Sequence, residues 1–192
     1  MKTEYLLKKE LDRVLAALTP GNRLVVRAML ETGLRISDVL SLEFWQLRNS
    51  FWITERKTLK RRHVGLSTQL IDDIRAAAAE LIPPEVRRDA AAGKAVAWAF
   101  PSPSDYRKHR TRQAVWKDIK RAAAAFRIKS NVGAHSMRKV YAVELMKKYG
   151  DLDRVRRALN HSDDSVTLIY AMADKLVEAG HLAKVSGAQR KR

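Results

Sequence analysis

The amino-acid sequence predicts a mainly α-helical domain with a small antiparallel β-sheet near its first third. Apolar residues recur at helical spacing in several segments, the first of which contains Leu7, Leu11 and Val14. The segments NSFWITERK (49–57) and RRHVGLS (61–67) instead have the pattern of two strands joined by the basic turn KTLK, a β-hairpin. Of the 192 residues, 46% are apolar and 31% charged, which suits one globular domain and is not a disordered composition.

In the first half of the chain, the helical pattern of the first segment is predicted to stop at Pro20-Gly21. A second helix is predicted over about 22–32, ending at Thr32-Gly33, and Ser37 is predicted to open a short third one. After the hairpin, helix is predicted from about Gln69 to Leu81, where Pro83-Pro84 breaks it.

In the second half, AVAWAFP (95–101) is predicted as a third short strand, which makes the sheet three-stranded. The remaining segments are predicted to be helical, at about 111–126, 137–148, 152–159, 163–171 and 174–185.

The positive charge of the chain is concentrated in one stretch. The formal net charge is +17, and residues 101–150 hold 13 basic but only 3 acidic residues. A field of this sign attracts polyanions, so we expect contact with nucleic acid, with a solvated basic face as the alternative. A membrane-surface helix is disfavoured because its alanine runs offer little bulky apolar surface.

The absence of cysteine excludes disulfide frameworks, zinc ribbons and thiol nucleophiles. The sequence also has no 18-residue apolar run, and its charged, amphipathic start is not that of a signal peptide. We therefore expect a soluble cytoplasmic protein.

Two basic residues in the first third are candidates for a functional site. Arg35 lies in TGLRISDVLSLE among apolar neighbours, so its head group is expected to be held, with Asp38 as the nearby candidate partner. Lys57 lies in the predicted hairpin turn. The alternatives are a surface arginine and a solvated turn lysine.

The motif HSMR (135–138) follows a chain break at Gly133-Ala134. Ser136 is a natural N-cap and Arg138 is predicted to open the next helix. His135 and Arg138 at the start of a helix are suited to hold one phosphate, because helix N-termini favour anions. The alternative is a capping histidine with an exposed arginine.

The last candidates lie in LNHSDDSVTLIYAMAD, where His161 follows a helix stop and Tyr170 comes nine residues later. A tyrosine at this position is by default part of an amphipathic core. Its phenol is also a capable nucleophile toward phosphorus once the proton is removed and the phosphate charge neutralised.

As an ordered series, these motifs resemble the tyrosine recombinases, also called the phage-integrase family, over about residues 3 to 185. The resemblance implies that family's catalytic fold and a site-specific recombinase that cuts and rejoins DNA through a 3′-phosphotyrosyl intermediate. Tyr170 would be the nucleophile. The assisting residues would be Arg35, Lys57, His135, Arg138 and His161.

The roles follow from the chemistry of phosphoryl transfer, in which charge spreads over the non-bridging oxygens. The guanidiniums of Arg35 and Arg138 would bind those oxygens, and His161 would add a hydrogen bond. Lys57 is the best general acid for the leaving 5′-oxygen, and a histidine such as His135 would take the tyrosine proton. No cofactor is expected: the scheme needs neither metal nor ATP, and no metal-ligand spacing or GxxxxGK[ST] loop occurs in the sequence.

Some features depart from the pattern of the family. Asn160 replaces the glycine usual before the last histidine, and Arg35 comes much earlier than in typical members, which carry a separate helical DNA-clamping (core-binding) domain before the catalytic one. We expect either an isolated catalytic domain or a compact member of the family that lacks the clamp. We expect one catalytic domain over 1–192, with double-stranded DNA as partner, and a bacterial or phage origin, on a mobile element. It would be a monomer when free and a tetramer on paired DNA sites, passing a C-terminal helix and basic tail (about 174–192) to a neighbour. The alternatives are a type IB topoisomerase and a non-catalytic DNA-binding protein with this fold.

Overall fold

The computed structural model of the protein describes residues 3–159. The chain divides into two compact units, residues 1–141 and 142–192. The helices predicted at 163–171 and 174–185, together with His161 and Tyr170, lie outside the described residues. In the second unit, Asp151 Oδ1 accepts the Arg154 N–H at 3.0 Å in the first turn of its helix, and the Arg154 guanidinium lies 3.5 Å from the centre of the Tyr149 ring.

Helices dominate the described residues, and one antiparallel hairpin accompanies them, so the predicted mainly helical fold with a small sheet is confirmed. The elements in chain order are α1 (Lys8–Ala17), α2 (Pro20–Thr32), α3 (Ile36–Leu40), a 3₁₀ turn (Phe44–Gln46), β1 (Ser50–Thr54), β2 (Arg61–Gly65), α4 (Thr68–Ala79), α5 (Pro84–Ala91), α6 (Arg112–Ala125), α7 (Ala134–Tyr149) and α8 (Leu152–Leu159).

Two prolines that were interpreted as helix breaks are instead the first residues of helices. Pro20 is the first residue of α2, directly after α1 has ended at Ala17. Pro84 likewise opens α5, a helix that the sequence analysis missed. Proline suits the first helical position because its fixed φ is already helical and the N–H it lacks would have no intrahelical acceptor there.

The predicted third strand over 95–101 is wrong, because the sheet within the described residues has two strands. This segment instead forms an isolated antiparallel bridge between Glu43 and Trp98. Its backbone bonds are Phe44 N–H to Ala97 O at 2.7 Å and Ala99 N–H to Leu42 O at 2.9 Å. The pairing does not extend further because its partner segment turns into the 3₁₀ helix at Phe44.

The hairpin packs one face onto the helices. Its register pairs Phe51 with Val64 and Ile53 with Arg62, and these four side chains are buried while their neighbours along each strand are exposed. The same core contains fully buried residues of α2, α4 and α6, among them Val25, Val26, Met29, Leu70, Ile74 and Ile119. The packing of the two strands on the core therefore fixes the position of the turn that joins them.

Asp118 of α6 ties that helix to the junction between α1 and α2. Its Oδ2 accepts hydrogen bonds from Thr19 N at 2.9 Å, Thr19 Oγ1 at 2.7 Å and Asn22 Nδ2 at 2.9 Å. Its Oδ1 accepts two from Arg121, at 3.0 and 2.6 Å. Burial alone would raise the pKa of Asp118, but these hydrogen bonds lower it to about 2. The Asp118 carboxylate is therefore charged at neutral pH.

Candidate active site

A glycine turn places Arg35. Helix α2 ends at Thr32, and the next residue, Gly33, has a left-handed φ of 63° and an N–H that donates to Met29 O at 2.8 Å. A Cβ at this position would lie 2.3 Å from Cδ1 of Tyr141, so both the backbone and the packing require glycine. The chain then leaves in an extended conformation, and Arg35 is the residue immediately before α3.

The partner of Arg35 is Glu55, and the prediction that Asp38 holds it is wrong. Arg35 Nη1 lies 2.5 Å from Glu55 Oε2, at the end of β1. Asp38 is fully buried in α3, where its Oδ1 accepts the Arg56 N–H of the hairpin turn at 3.0 Å. Burial raises the pKa of Asp38, and the Glu55 charge adds to this, whereas the Arg56 hydrogen bond opposes it. Asp38 therefore attaches α3 to the hairpin turn.

Glu55 has no exposed surface and binds more than one cation. Besides Arg35, Oε2 accepts the Thr58 hydroxyl at 3.0 Å, while Oε1 lies 3.4 Å from Arg62 Nη1. Burial alone would raise the pKa of Glu55, but the hydrogen bonds from Thr58 and Arg35 and the nearby guanidinium charges lower it below its ordinary value. Glu55 is therefore ionised at neutral pH.

Arg138 is buried, in contrast to the alternative of an exposed arginine. Helix α7 begins at Ala134, earlier than predicted, so Ser136 lies inside its first turn and is not the N-cap. The Ser136 hydroxyl accepts the Gly133 N–H at 3.2 Å, which fixes the start of the helix. Arg138 is 6% exposed, and its Nη1 donates to Gly33 O at 2.5 Å.

Arg62 joins Arg35 and Arg138 in what we call the arginine cluster. It donates to Thr32 O and, at 3.5 Å, to the same Gly33 O that Arg138 binds, and its guanidinium lies 5.9 Å from the centre of the Tyr141 ring. Burial and then the charges of Arg35 and Arg62 lower the pKa of Arg138 to about 10. The carboxylates of Glu55 and Asp38 offset only part of this. The cluster therefore holds excess positive charge in a partly desolvated place.

Lys57 and His135 lie beside the cluster with exposed side chains. Lys57 occupies the turn between β1 and β2, and its ammonium makes no hydrogen bond or ion pair with residues 3–159. Desolvation lowers the pKa of His135, and the charges of Arg138, Arg35, Lys139 and Lys57 lower it further. The structure thus brings four of the predicted site residues into one electrostatic neighbourhood, with a neutral imidazole at pH 7.

Two basic and aromatic surfaces adjoin these residues. An open cleft of about 640 Å³ borders His135 and is lined by Arg112, Trp116 and Lys120 of α6. On the outer face of the hairpin, Trp52 is 57% exposed, and the centre of its ring lies 5.1 Å from the Arg61 guanidinium.

Within residues 3–159, no three metal-ligating side chains come together. In the same part of the chain, no helix combines the length and the apolar character needed to cross a bilayer.

Glu55 and Arg62 are not among the residues predicted from the sequence motifs, although strand alternation could have indicated both. Glu55 continues the inward-facing series Phe51, Ile53, and Arg62 precedes the inward-facing Val64 by two positions. A glutamate and an arginine on the core faces of paired strands must be buried, and buried charges are paired.

The comparison with protein families decides the relationship. The model of the phage integrase family matches residues 4–176. The chain belongs to the phage integrase family. The matched range includes His161 and Tyr170, and the resemblance to the tyrosine recombinases is confirmed.

Individual members of the phage integrase family show the same similarity. Tyrosine recombinase XerD of Lacticaseibacillus casei is 32% identical over 152 residues, which is 78% of this chain but 49% of that protein. "Probable integrase/recombinase YoeC" of Bacillus subtilis (strain 168) is 29% identical over 148 residues, 76% of this chain and 74% of that protein. This chain thus spans about half the length of the XerD protein.

Solved structures support the fold. The XerH site-specific recombinase, in a pre-cleavage complex with its difH substrate, superimposes with a TM-score of 0.63 and 26% identity, covering 88% of this chain and 51% of that one. The catalytic fold of the tyrosine recombinases, expected from the resemblance, is confirmed.

Proposed function

We propose that this phage integrase family member is a site-specific DNA recombinase that cuts and rejoins strands through a 3′-phosphotyrosyl intermediate. The observation that carries the proposal is the arginine cluster, in which Arg35 and Arg138 are held by buried partners beside Lys57 and His135. Phosphoryl transfer requires fixed positive charge beside the non-bridging oxygens, and the charge held by this cluster supports the proposal.

In the proposed cleavage step, Tyr170 Oη attacks the scissile phosphorus as the bond to the 5′-oxygen breaks. Arg35 and Arg138 bind the non-bridging oxygens, with a hydrogen bond from His161. The phosphodiester energy is retained in the phosphotyrosyl bond, and attack by a 5′-hydroxyl of another strand reseals the DNA and releases the tyrosine.

Two proton transfers accompany this step. The Tyr170 proton passes to His135. Because the pKa of His135 is lowered, its imidazole is mainly in the neutral form at pH 7 and is able to accept a proton. Lys57 gives a proton to the leaving 5′-oxygen, and its position in an exposed turn suits contact with DNA. Because the guanidiniums supply the charge, the proposed step uses neither a metal ion nor ATP.

The test is covalent trapping on a nicked suicide substrate in EDTA and without ATP. The wild-type protein is expected to form a protein–DNA adduct, and Tyr170→Phe is expected to form none while binding DNA normally, since it loses a single oxygen. Tyr149→Phe, a change of the same kind in α7, is the matched control and should form the adduct. An adduct with Tyr170→Phe, or none with the wild-type protein, contradicts the proposal. Strand exchange between two sites then separates recombination from topoisomerase activity.

We further propose that the chain forms one catalytic domain that is monomeric when free, is located in the cytoplasm and assembles as a tetramer on paired DNA sites. The segment 174–192 has Leu176, Val177, Leu182 and Val185 at helical spacing, followed by a basic tail. A short amphipathic helix needs a partner groove, which we assign to a neighbouring subunit. Deleting 174–192 should reduce multimeric DNA complexes far more than the melting temperature of the monomer. Unfolding of the truncated monomer would contradict exchange between subunits.

A further inference from the structure

We propose that Glu55 is a positioning residue that aligns Arg35 and the turn carrying Lys57 with one another. The inference rests on the proposed function, in which these two residues act on opposite sides of the same phosphorus: Arg35 on the non-bridging oxygens and Lys57 on the leaving oxygen. In this proposal, Glu55 itself contacts neither the non-bridging oxygens nor the leaving oxygen.

One carboxylate oxygen of Glu55 binds both Arg35 and the hairpin turn. Glu55 Oε2 accepts both the Arg35 guanidinium at 2.5 Å and the Thr58 hydroxyl at 3.0 Å. Thr58 is the residue directly after Lys57. A shift of this oxygen therefore moves the arginine and the turn together. Charge-assisted bonds of this kind are short and directional, so they restrict both groups.

The backbone of Glu55 also binds the hairpin turn. Its N–H donates to Lys60 O at 3.1 Å, and its carbonyl accepts the Leu59 N–H at 2.8 Å. These bonds close the turn from both ends, and Leu59 takes a left-handed φ of 56° within it. The residue that binds Arg35 through its side chain thus also closes the turn that presents Lys57.

The rest of the site fixes Glu55 in place. Its other oxygen lies 3.4 Å from Arg62, which is bound to Gly33 O, the acceptor shared with Arg138. The side chain has no exposed surface, so water does not replace any of these partners. A buried carboxylate is costly unless it is paired, and here the two arginines pair it. Arg35 is therefore held before any substrate is present.

The experiment compares Glu55→Asp, Glu55→Gln and Thr58→Val by the single-turnover rate of adduct formation. Three substrates are used: an ordinary phosphodiester, one with sulfur as the 5′-bridging atom, and a methylphosphonate. The sulfur leaves without a proton and removes the need for Lys57. In the methylphosphonate, a methyl group replaces one non-bridging oxygen and removes the negative charge that the two oxygens share. This substrate therefore reduces the need for Arg35.

On the ordinary substrate, Glu55→Asp is expected to lower the rate on the order of 10²-fold, the loss typical of a displacement of about 1 Å. Thr58→Val, which removes one hydrogen bond, should lower it by up to about tenfold. The sulfur substrate should restore Thr58→Val fully and Glu55→Asp only in part. The methylphosphonate should also relieve Glu55→Asp in part but leave Thr58→Val impaired.

Two controls separate positioning from folding and binding. Asp73→Asn breaks an Arg–carboxylate pair of the same 2.5 Å length, between Arg27 and Asp73 on α2 and α4, and should cleave all three substrates like the wild-type protein. DNA affinity should be unchanged in Glu55→Asp and Thr58→Val. Glu55→Gln removes the charge between two arginines, so the melting temperature of this variant is measured alongside its rate. If Glu55→Gln does not fold, the result with Glu55→Asp decides the test.

The outcomes distinguish this inference from the proposed function. If the wild-type protein forms no adduct, the proposed function fails and the inference with it. If the wild-type protein forms the adduct and Glu55→Asp does so at the same rate, only the positioning role is overturned. Equal losses on all three substrates would likewise overturn it, because a merely structural defect does not depend on the leaving group or on the phosphorus charge.

Discussion

Replacing Asp118 by asparagine should destabilise the fold by about 2 kcal/mol at neutral pH. The pKa of this carboxyl is about 2 in the folded protein against 3.8 ordinarily. Each unit of pKa difference corresponds to about 1.4 kcal/mol of stabilisation of the charged form. The change is isosteric, but the new amide group would face the Arg121 guanidinium, which is itself only a donor, so those two hydrogen bonds are lost.

The pH dependence of this effect has a definite sign. Because folding lowers the pKa of Asp118, its contribution is complete above 3.8 and is lost as the pH falls toward 2. The difference in unfolding free energy between the wild-type protein and Asp118→Asn should therefore shrink to about half by pH 3. The variant has no carboxyl at this position, so its own stability lacks this component of acid dependence.

The measurement is urea unfolding followed by circular dichroism at pH 7 and pH 3. Asp73→Asn serves as the control, because Asp73 is partly exposed on α4 and its ion pair is screened by solvent. A difference between the wild-type protein and Asp118→Asn that does not change with pH would refute the electrostatic origin of the effect. A loss no larger than that of the control would refute the role of Asp118 in joining α1, α2 and α6.

Three further predictions concern the proposed reaction. Arg138→Lys should slow cleavage by about 10²–10³-fold, because an ammonium cannot bind two oxygens as the guanidinium does; near-normal cleavage would mean that Arg138 only positions DNA. Lys57→Ala should slow cleavage of ordinary DNA by about 10²–10⁴-fold and recover on the 5′-bridging sulfur substrate, and failure to recover would assign the proton donor elsewhere, with His135 next. DNA affinity should fall by about 10³–10⁵-fold between 50 and 200 mM salt if 6–10 phosphates are contacted, and a flat salt profile would contradict the role of the basic stretch 101–150.

The elements that sequence alone predicted are those whose signal is local. Apolar spacing located α1, α2, α4 and α6 to within a few residues, and strand alternation located the hairpin. The same local rules failed where one sequence pattern is compatible with two structures. Proline ends some helices but begins α2 and α5, and the alternation of 95–101 predicted a strand whose partner segment turns away after one bridge.

The candidate site shows the same division. The motifs predicted Arg35, Lys57, His135 and Arg138, and the fold brings these four together. The partner of Arg35 was misassigned because the i, i+3 rule considers only neighbours on one helix, whereas Glu55 directly follows β1, twenty positions later. Pairing across such a separation depends on how the hairpin packs on α2 and α3. The catalytic roles of all six residues stay predictions, and His161 and Tyr170 lie outside the described residues.

The mutual repulsion within the arginine cluster has a consequence for the evolution of the protein. Burial and the charges of Arg35 and Arg62 lower the pKa of Arg138, so keeping Arg138 charged in this place is a cost to the folded state. A neutral side chain of similar volume at position 138 would remove the repulsion that Arg35 and Arg62 exert there. Selection for thermal stability alone would therefore disfavour this arrangement of arginines, and we expect that selection for the proposed activity retains it.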